Sequence, residues 1–179
     1  MKYFELNSKQ VAEMAMVIAL STVLSLIKLF QMPQGGSVTA ASMVPIMWYA
    51  LRRGYKSGII VGALYGIVQL MIQPIIIHPA QILLDYPIPF AALGLAGLFK
   101  EKAKENVFIL ALSIFIAIMG RFLSHLVSGV IFFAKYAPEG MNPLLYSTIY
   151  NGSFLTVEFI ISLVAFSALW KTELIDLYK

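Results

Sequence analysis

The chain has 179 residues, 60% of them hydrophobic and 12% charged, and its mean hydropathy of +0.83 is far above what the core of a soluble domain of this length requires. A spanning helix takes about 20 apolar residues, so the length allows five or six spans and leaves no room for a separate soluble domain; the expectation is one all-α transmembrane domain over 1–179. With no cysteine, disulfides, thiolate chemistry and Cys-ligated metals are excluded, and the net charge of +4 is better explained by membrane topology than by an acidic partner such as nucleic acid.

Six helices are predicted, near 9–30, 39–51, 57–73, 79–99, 107–135 and 146–170. The first follows a polar start with only Lys2 and Lys9 as bases, is longer than a signal-peptide core and lacks a clear small-residue cleavage site, so it reads as a retained helix. Within it Ala15 and Ala19 make a small-xxx-small pair that permits close approach of another helix, in the same bundle or on a partner subunit. The loop "QMPQGGSV" (31–38) is turn-forming, as are "QPIIIHPA" (73–80) and "KYAPEGMNP" (135–143). The second helix is short for a span and is expected to be tilted or partly sunk. In the fourth, "DYPIPF" places Pro87 and Pro89 where they must kink or unwind the helix. Irregular backbone at membrane depth is tolerated only where protein or a water-filled cavity satisfies the freed groups, which puts a candidate cavity beside Asp85.

Ten of the thirteen bases fall in four places: Lys2 and Lys9; Arg52, Arg53 and Lys56; Lys100, Lys102 and Lys104; Lys171 and Lys179. Six crossings put all four on one side. The excess of bases on cytoplasmic segments then predicts a six-helix bundle with both termini cytoplasmic and with outer loops at 31–38, 74–78 and 136–145.

Asp85, Arg121, His125, Asn151 and Glu158 lie inside predicted spans, where a charge at mid-bilayer costs roughly 2.5–3.5 kcal/mol on insertion scales, so they must face inward and find partners. On the fifth helix Arg121, His125, Ser128 and Phe132 recur at three- and four-residue spacing and form one stripe, and on the sixth Asn151 and Glu158 share nearly one face. Buried pairs that fix packing are one reading, and Glu158, deepest toward the cytoplasmic end, suits it best. The other reading is a ligand site in the outer half of the bundle, where Tyr86, Phe132, Phe133, Tyr146 and Tyr150 surround the polar set. An acid, an imidazole, an amide, a phenol and stacking rings suit a small, polar, aromatic ligand, including a cationic one.

Catalysis is less well served. There is no nucleophile elbow and no second intramembrane aspartate to pair with Asp85. A metal site would have to be assembled from His78, His125 and carboxylates without close spacing, so neither a metal nor a cofactor is expected. An intramembrane enzyme and a membrane adaptor using the alanine face stay open as alternatives.

Taken together, "MPQGGSV", "LRRG", "HPAQILLDY", "SHLVSGVIFFAKYAPEG" and "YSTIYNG" run nearly the whole length, and the chain so read resembles the thiamine-specific substrate-binding components of energy-coupling factor transporters. The resemblance implies a protein of the bacterial plasma membrane that captures thiamine from outside and works with a transmembrane coupling subunit and two cytoplasmic ATPases; no P-loop occurs in this chain itself. It carries the acid that reads the aminopyrimidine onto Asp85, the histidine onto His125, the close-packing glycine onto Gly129, the stacking aromatic onto Phe133, the tyrosine onto Tyr146 and the asparagine onto Asn151. Arg121 joins the set through the stripe, orienting Asp85 or Glu158. The alanine pair, Ala15 and Ala19, falls on the motif that meets the coupling subunit. Asp85 stands where other members carry glutamate, Phe133 where they carry tryptophan, and Gly35 and Gly36 where a tryptophan can cover the ligand. These departures admit a related vitamin such as pyridoxine as an alternative ligand.

Overall fold

The computed structural model describes residues 7–170; Lys2, Lys171 and Lys179, which entered the topology argument, lie outside the described residues. Helix α1 (Ser8–Leu26) opens with a reciprocal cap: Asn7 Oδ1 accepts from the Gln10 amide at 2.9 Å and Gln10 Oε1 accepts from the Asn7 amide at 3.1 Å. It ends about one turn earlier than expected. Residues 28–31 form strand β1 (Lys28–Gln31), paired antiparallel with β2 (Ser37–Thr39) in the register Phe30 with Val38 and Gln31 with Ser37. The apolar Leu29 and Phe30 extend the hydropathy of the helix, but Gly35, at φ 98°, closes a hairpin in which the Met32 amide donates to the Gly36 carbonyl at 2.6 Å. The turn-forming segment 31–38 is therefore the turn of a β-hairpin.

Helix α2 (Val44–Arg53) has ten residues, about 15 Å of helix against a hydrocarbon core of about 30 Å. Met43, Ile46, Met47, Tyr49 and Ala50 have no exposed surface, so this short helix is the centre around which the others pack. An ion pair from Arg53 to Glu13 fastens its end to α1.

Helix α3 (Tyr55–Ile72) lies against a composite helix made of α4 (Pro79–Asp85), α5 (Pro87–Ala92), a 3-10 run over Leu93–Phe99, and α6 (Lys100–Ala103). The predicted kink is a full break at Tyr86, with φ −119° and ψ −82°, because Pro87 and Pro89 offer no amide protons. Near the break the Leu84 carbonyl accepts from Ser124 Oγ at 2.7 Å, a side-chain partner of the kind that irregular backbone at this depth requires. On α3, Gly58, Gly62 and Gly66 recur every four residues. A Cβ at Gly62 would strike the Phe90 carbonyl and one at Gly66 the Tyr86 carbonyl, so the two elements approach backbone to backbone.

Helices α7 (Val107–Phe132) and α8 (Pro143–Trp170) complete the bundle, α7 capped by Asn106 Oδ1 on the Phe108 amide at 2.8 Å. Among the described residues five helical stretches have the length and apolar character to cross a membrane: Ser8–Leu26, Tyr55–Ile72, Pro79–Ala103, Val107–Phe132 and Pro143–Leu169. The protein is a mostly helical, multi-pass membrane protein.

Candidate functional site

Where α3 ends and α4 begins, the β-hairpin, the 73–77 loop, α4, α7 and α8 enclose a cavity of about 320 Å³. Asp85, Arg121, His125, Gly129, Phe133, Tyr146 and Asn151 all line it.

The polar wall is a hydrogen-bonded chain. Gln81 Nε2 donates to Asp85 Oδ2 at 2.6 Å, His125 Nδ1 lies 3.2 Å from Asp85 Oδ1, and Arg121 Nε donates to His125 Nε2 at 3.3 Å. Since Nε2 accepts from the guanidinium, the bonding pattern assigns the ring proton to Nδ1, which donates to Asp85. Asp85 is thus held from both sides, with its remaining lone pairs available to the cavity. Arg121 was expected to orient Asp85 or Glu158 directly. Instead no carboxylate among the described residues lies within ion-pair distance of it; its guanidinium sits 4.3 Å from the centroid of Phe90 and acts on Asp85 only through His125.

The adjoining wall depends on a close helix crossing. A Cβ at Gly129 would collide with the Ser147 side chain, so α7 and α8 meet closely there. Asn151 Nδ2 donates to the Ser147 carbonyl at 2.9 Å and to Ser147 Oγ at 3.1 Å, fixing the amide orientation on the cavity wall. Tyr146 and Tyr150 pack 5.9 Å apart, and Tyr150 in turn meets Phe154 edge-on at 6.2 Å, building an aromatic surface for a flat ring.

The stripe on α7 divides. Arg121 and His125 face the cavity, but Phe132 stacks on His78 at 5.2 Å and does not line it. Phe133 does, because it falls four residues after Gly129 on the face that carries Arg121 and His125, with its amide still donating to the Gly129 carbonyl at 3.1 Å. His78 caps α4, its Nδ1 accepting from the Ala80 amide at 3.1 Å. Glu158 is buried away from the cavity and accepts from the Thr39 amide at 2.6 Å and the Thr39 hydroxyl at 2.8 Å, anchoring β2 to α8.

Gln81 and Lys28 were not singled out from the sequence, and Tyr86 and Tyr150, read there as rings around the polar set, act here through their hydroxyls. Gln81, fully buried, binds three groups: its Oε1 accepts from the Ile77 amide at 3.1 Å, and its Nε2 donates to the Ile75 carbonyl at 3.1 Å as well as to Asp85. Its place four residues before Asp85 on one helix face was the available signal. Tyr86, weighed as a stacking ring, uses its hydroxyl to hold the 73–77 loop, accepting from the Ile75 amide at 2.7 Å and donating to the Gln73 carbonyl at 2.8 Å. Tyr150 accepts from the Gln34 and Gly36 amides at 3.0 and 3.2 Å, so it fastens the hairpin turn over the cavity. Lys28 also lines the cavity, from β1, with its Nζ donating to Gln31 Oε1 at 3.2 Å; no spacing rule could have brought a residue predicted to be helical to that rim.

A multi-pass helical bundle that brings a hairpin and an aromatic wall around one acid–imidazole pair has the form of a small-molecule pocket. The thiamine transporter protein family model (Thia_YuaJ) matches residues 11–176, and the chain belongs to that family. Thiamine transporter ThiT of Bacillus subtilis (strain 168) is 35% identical over 182 residues, covering 93% of this chain and 94% of that relative. ThiT of Lacticaseibacillus paracasei is 31% identical over 141 residues, covering 71% of this chain and 70% of its own length. The solved structure of ThiT from Listeria monocytogenes superposes with a TM-score of 0.83 at 26% identity, over 91% of this chain and 93% of that one.

Proposed function

We propose that this protein is the thiamine-binding substrate component of an energy-coupling factor transporter of the bacterial plasma membrane, a single transmembrane domain over 1–179 that captures thiamine on the outer side. The observation that carries the reading is the cavity itself: in a chain of the thiamine transporter family, an acid held by Gln81 and His125 lines, together with aromatic rings, a space of about 320 Å³. Asp85 and His125 bind the aminopyrimidine, and the charge of Asp85 helps to balance the thiazolium. Phe133 and Tyr146 offer ring faces, Asn151 offers its carbonyl oxygen, Gly129 allows close contact, and Arg121 positions His125. The protein works as a binding component and not as an enzyme.

The second crossing is made by the extended residues of β2 followed by the ten-residue α2, which gives six passes and two cytoplasmic termini. The exposed Ala15 and Ala19 on α1 support docking of a transmembrane coupling subunit, itself driven by two ATPases. Titration of the purified, detergent-solubilised protein with thiamine and with pyridoxine, followed by aromatic fluorescence and calorimetry, tests the substrate. Saturable thiamine binding that Asp85→Ala weakens about tenfold or more is expected. Pyridoxine binding with thiamine ignored would overturn the substrate and keep the site; binding of neither would overturn the site.

A further inference from the structure

A second cavity, of about 460 Å³, opens at the other end of α3. The eighteen residues of that helix put it about 27 Å from the first. It lies where the composite helix ends and the α2–α3 turn begins, lined by Arg53, Lys56, Lys100 and Lys102 with Glu101 as its one acid. Arg53 is committed to Glu13, and Lys100 lies 3.3 Å from Glu101, which also binds Lys104 at 3.0 Å. Lys56 and Lys102 have no acidic partner among the described residues. The floor carries little side chain: Gly54, at φ 93°, makes the turn, and a Cβ on Gly97 would strike the Ala50 carbonyl and the Tyr55 amide nitrogen. The rim is apolar, with Tyr55 at 40% exposure, Leu98 at 45% and Phe99 at 38%.

A topological excess of bases needs only loops in water. Here the bases surround a hollow, and that hollow sits at the ends of two candidate spans, Tyr55–Ile72 and Pro79–Ala103, beside the exposed apolar Leu98 and Phe99. We infer that this cavity is a headgroup site for an anionic phospholipid, with Lys56 and Lys102 as the principal phosphate ligands and Leu98 and Phe99 against the acyl chains. The phosphodiester supplies the charge that the two lysines lack, and the apolar rim favours a lipid over a soluble anion, which would leave Leu98 and Phe99 uncovered.

The test is native mass spectrometry of the delipidated full-length protein, titrated with phosphatidylglycerol or with phosphatidylcholine of the same acyl chains. Preferential retention of phosphatidylglycerol is expected. It should weaken about thirtyfold in Lys56→Gln/Lys102→Gln, one factor for each base lost near the surface, and persist in Lys56→Arg/Lys102→Arg. Thiamine affinity, read on the same preparations, should not change and serves as the check on folding. Equal retention of the two lipids, or indifference to the glutamine pair, would overturn the assignment. So would displacement of phosphatidylglycerol by inorganic phosphate, which would mark a soluble-anion site. Loss of coupling-subunit association in the glutamine variant with lipid retention intact would make the cavity a protein-docking surface and overturn it as well.

Discussion

Asp85 is oriented before any ligand arrives, because one oxygen accepts from Gln81 and the other lies against His125. A ligand that donates to this carboxylate therefore meets a fixed acceptor and does not have to order a free side chain on binding. Hydrogen bonds to a charged group are worth about 1.5–3 kcal/mol, so Asp85→Ala and His125→Ala should each weaken thiamine binding roughly ten- to hundredfold by calorimetry. Glu158→Gln should change affinity far less, since that carboxylate holds Thr39 and not the cavity. Equal small losses in all three variants would contradict the division of roles. The sequence made these carboxylates distinguishable by depth, and it made the Arg121–His125 neighbourhood legible by spacing. It could not show that Arg121 would bond to the imidazole and stack on Phe90, because Phe90 reaches it only through the break at Tyr86.

Two outer elements are fastened over the cavity by tyrosine hydroxyls, the hairpin by Tyr150 and the 73–77 loop by Tyr86. Tyr150→Phe removes the acceptor for the Gln34 and Gly36 amides while keeping the ring. At about 1 kcal/mol for a typical bond, it should raise the thiamine dissociation rate by about fivefold in stopped-flow fluorescence, with little change in the association rate. An unchanged dissociation rate would show that the hairpin does not hold the ligand. The broken fourth helix was legible because proline acts locally, through a missing amide proton at Pro87 and Pro89. The β-hairpin was not, because Leu29 and Phe30 satisfy the hydropathy of a helix and only pairing with residues six to eleven positions on makes this segment a strand. The Gly58, Gly62 and Gly66 series was present in the sequence as a small-residue repeat, but its partner is the backbone of α5 and the 3-10 run, which spacing alone does not name.

Across the whole molecule the helices differ in what they cover. Helix α1 leaves Val11, Met16, Leu20 and Val23 exposed beside Ala15 and Ala19, so one of its faces is smooth and unoccupied by the bundle. Replacing both alanines by tryptophan should leave thiamine affinity intact while abolishing co-purification with the coupling subunit and cellular uptake; uptake at the original rate would remove α1 from the coupling interface. The mostly helical, multi-pass form was legible in composition, since hydrophobic length reports the membrane directly. The central position of α2 was not: a ten-residue helix looks like a deficient span until the others are seen to wrap it. The most direct test of the whole reading is a structure determined with thiamine bound. The aminopyrimidine is expected inside the cavity, about 2.7–3.2 Å from the Asp85 carboxylate, with the thiazolium against the aromatic rings and the hairpin closed above it. Thiamine bound elsewhere, or in the cavity without contact to Asp85 and His125, would contradict it.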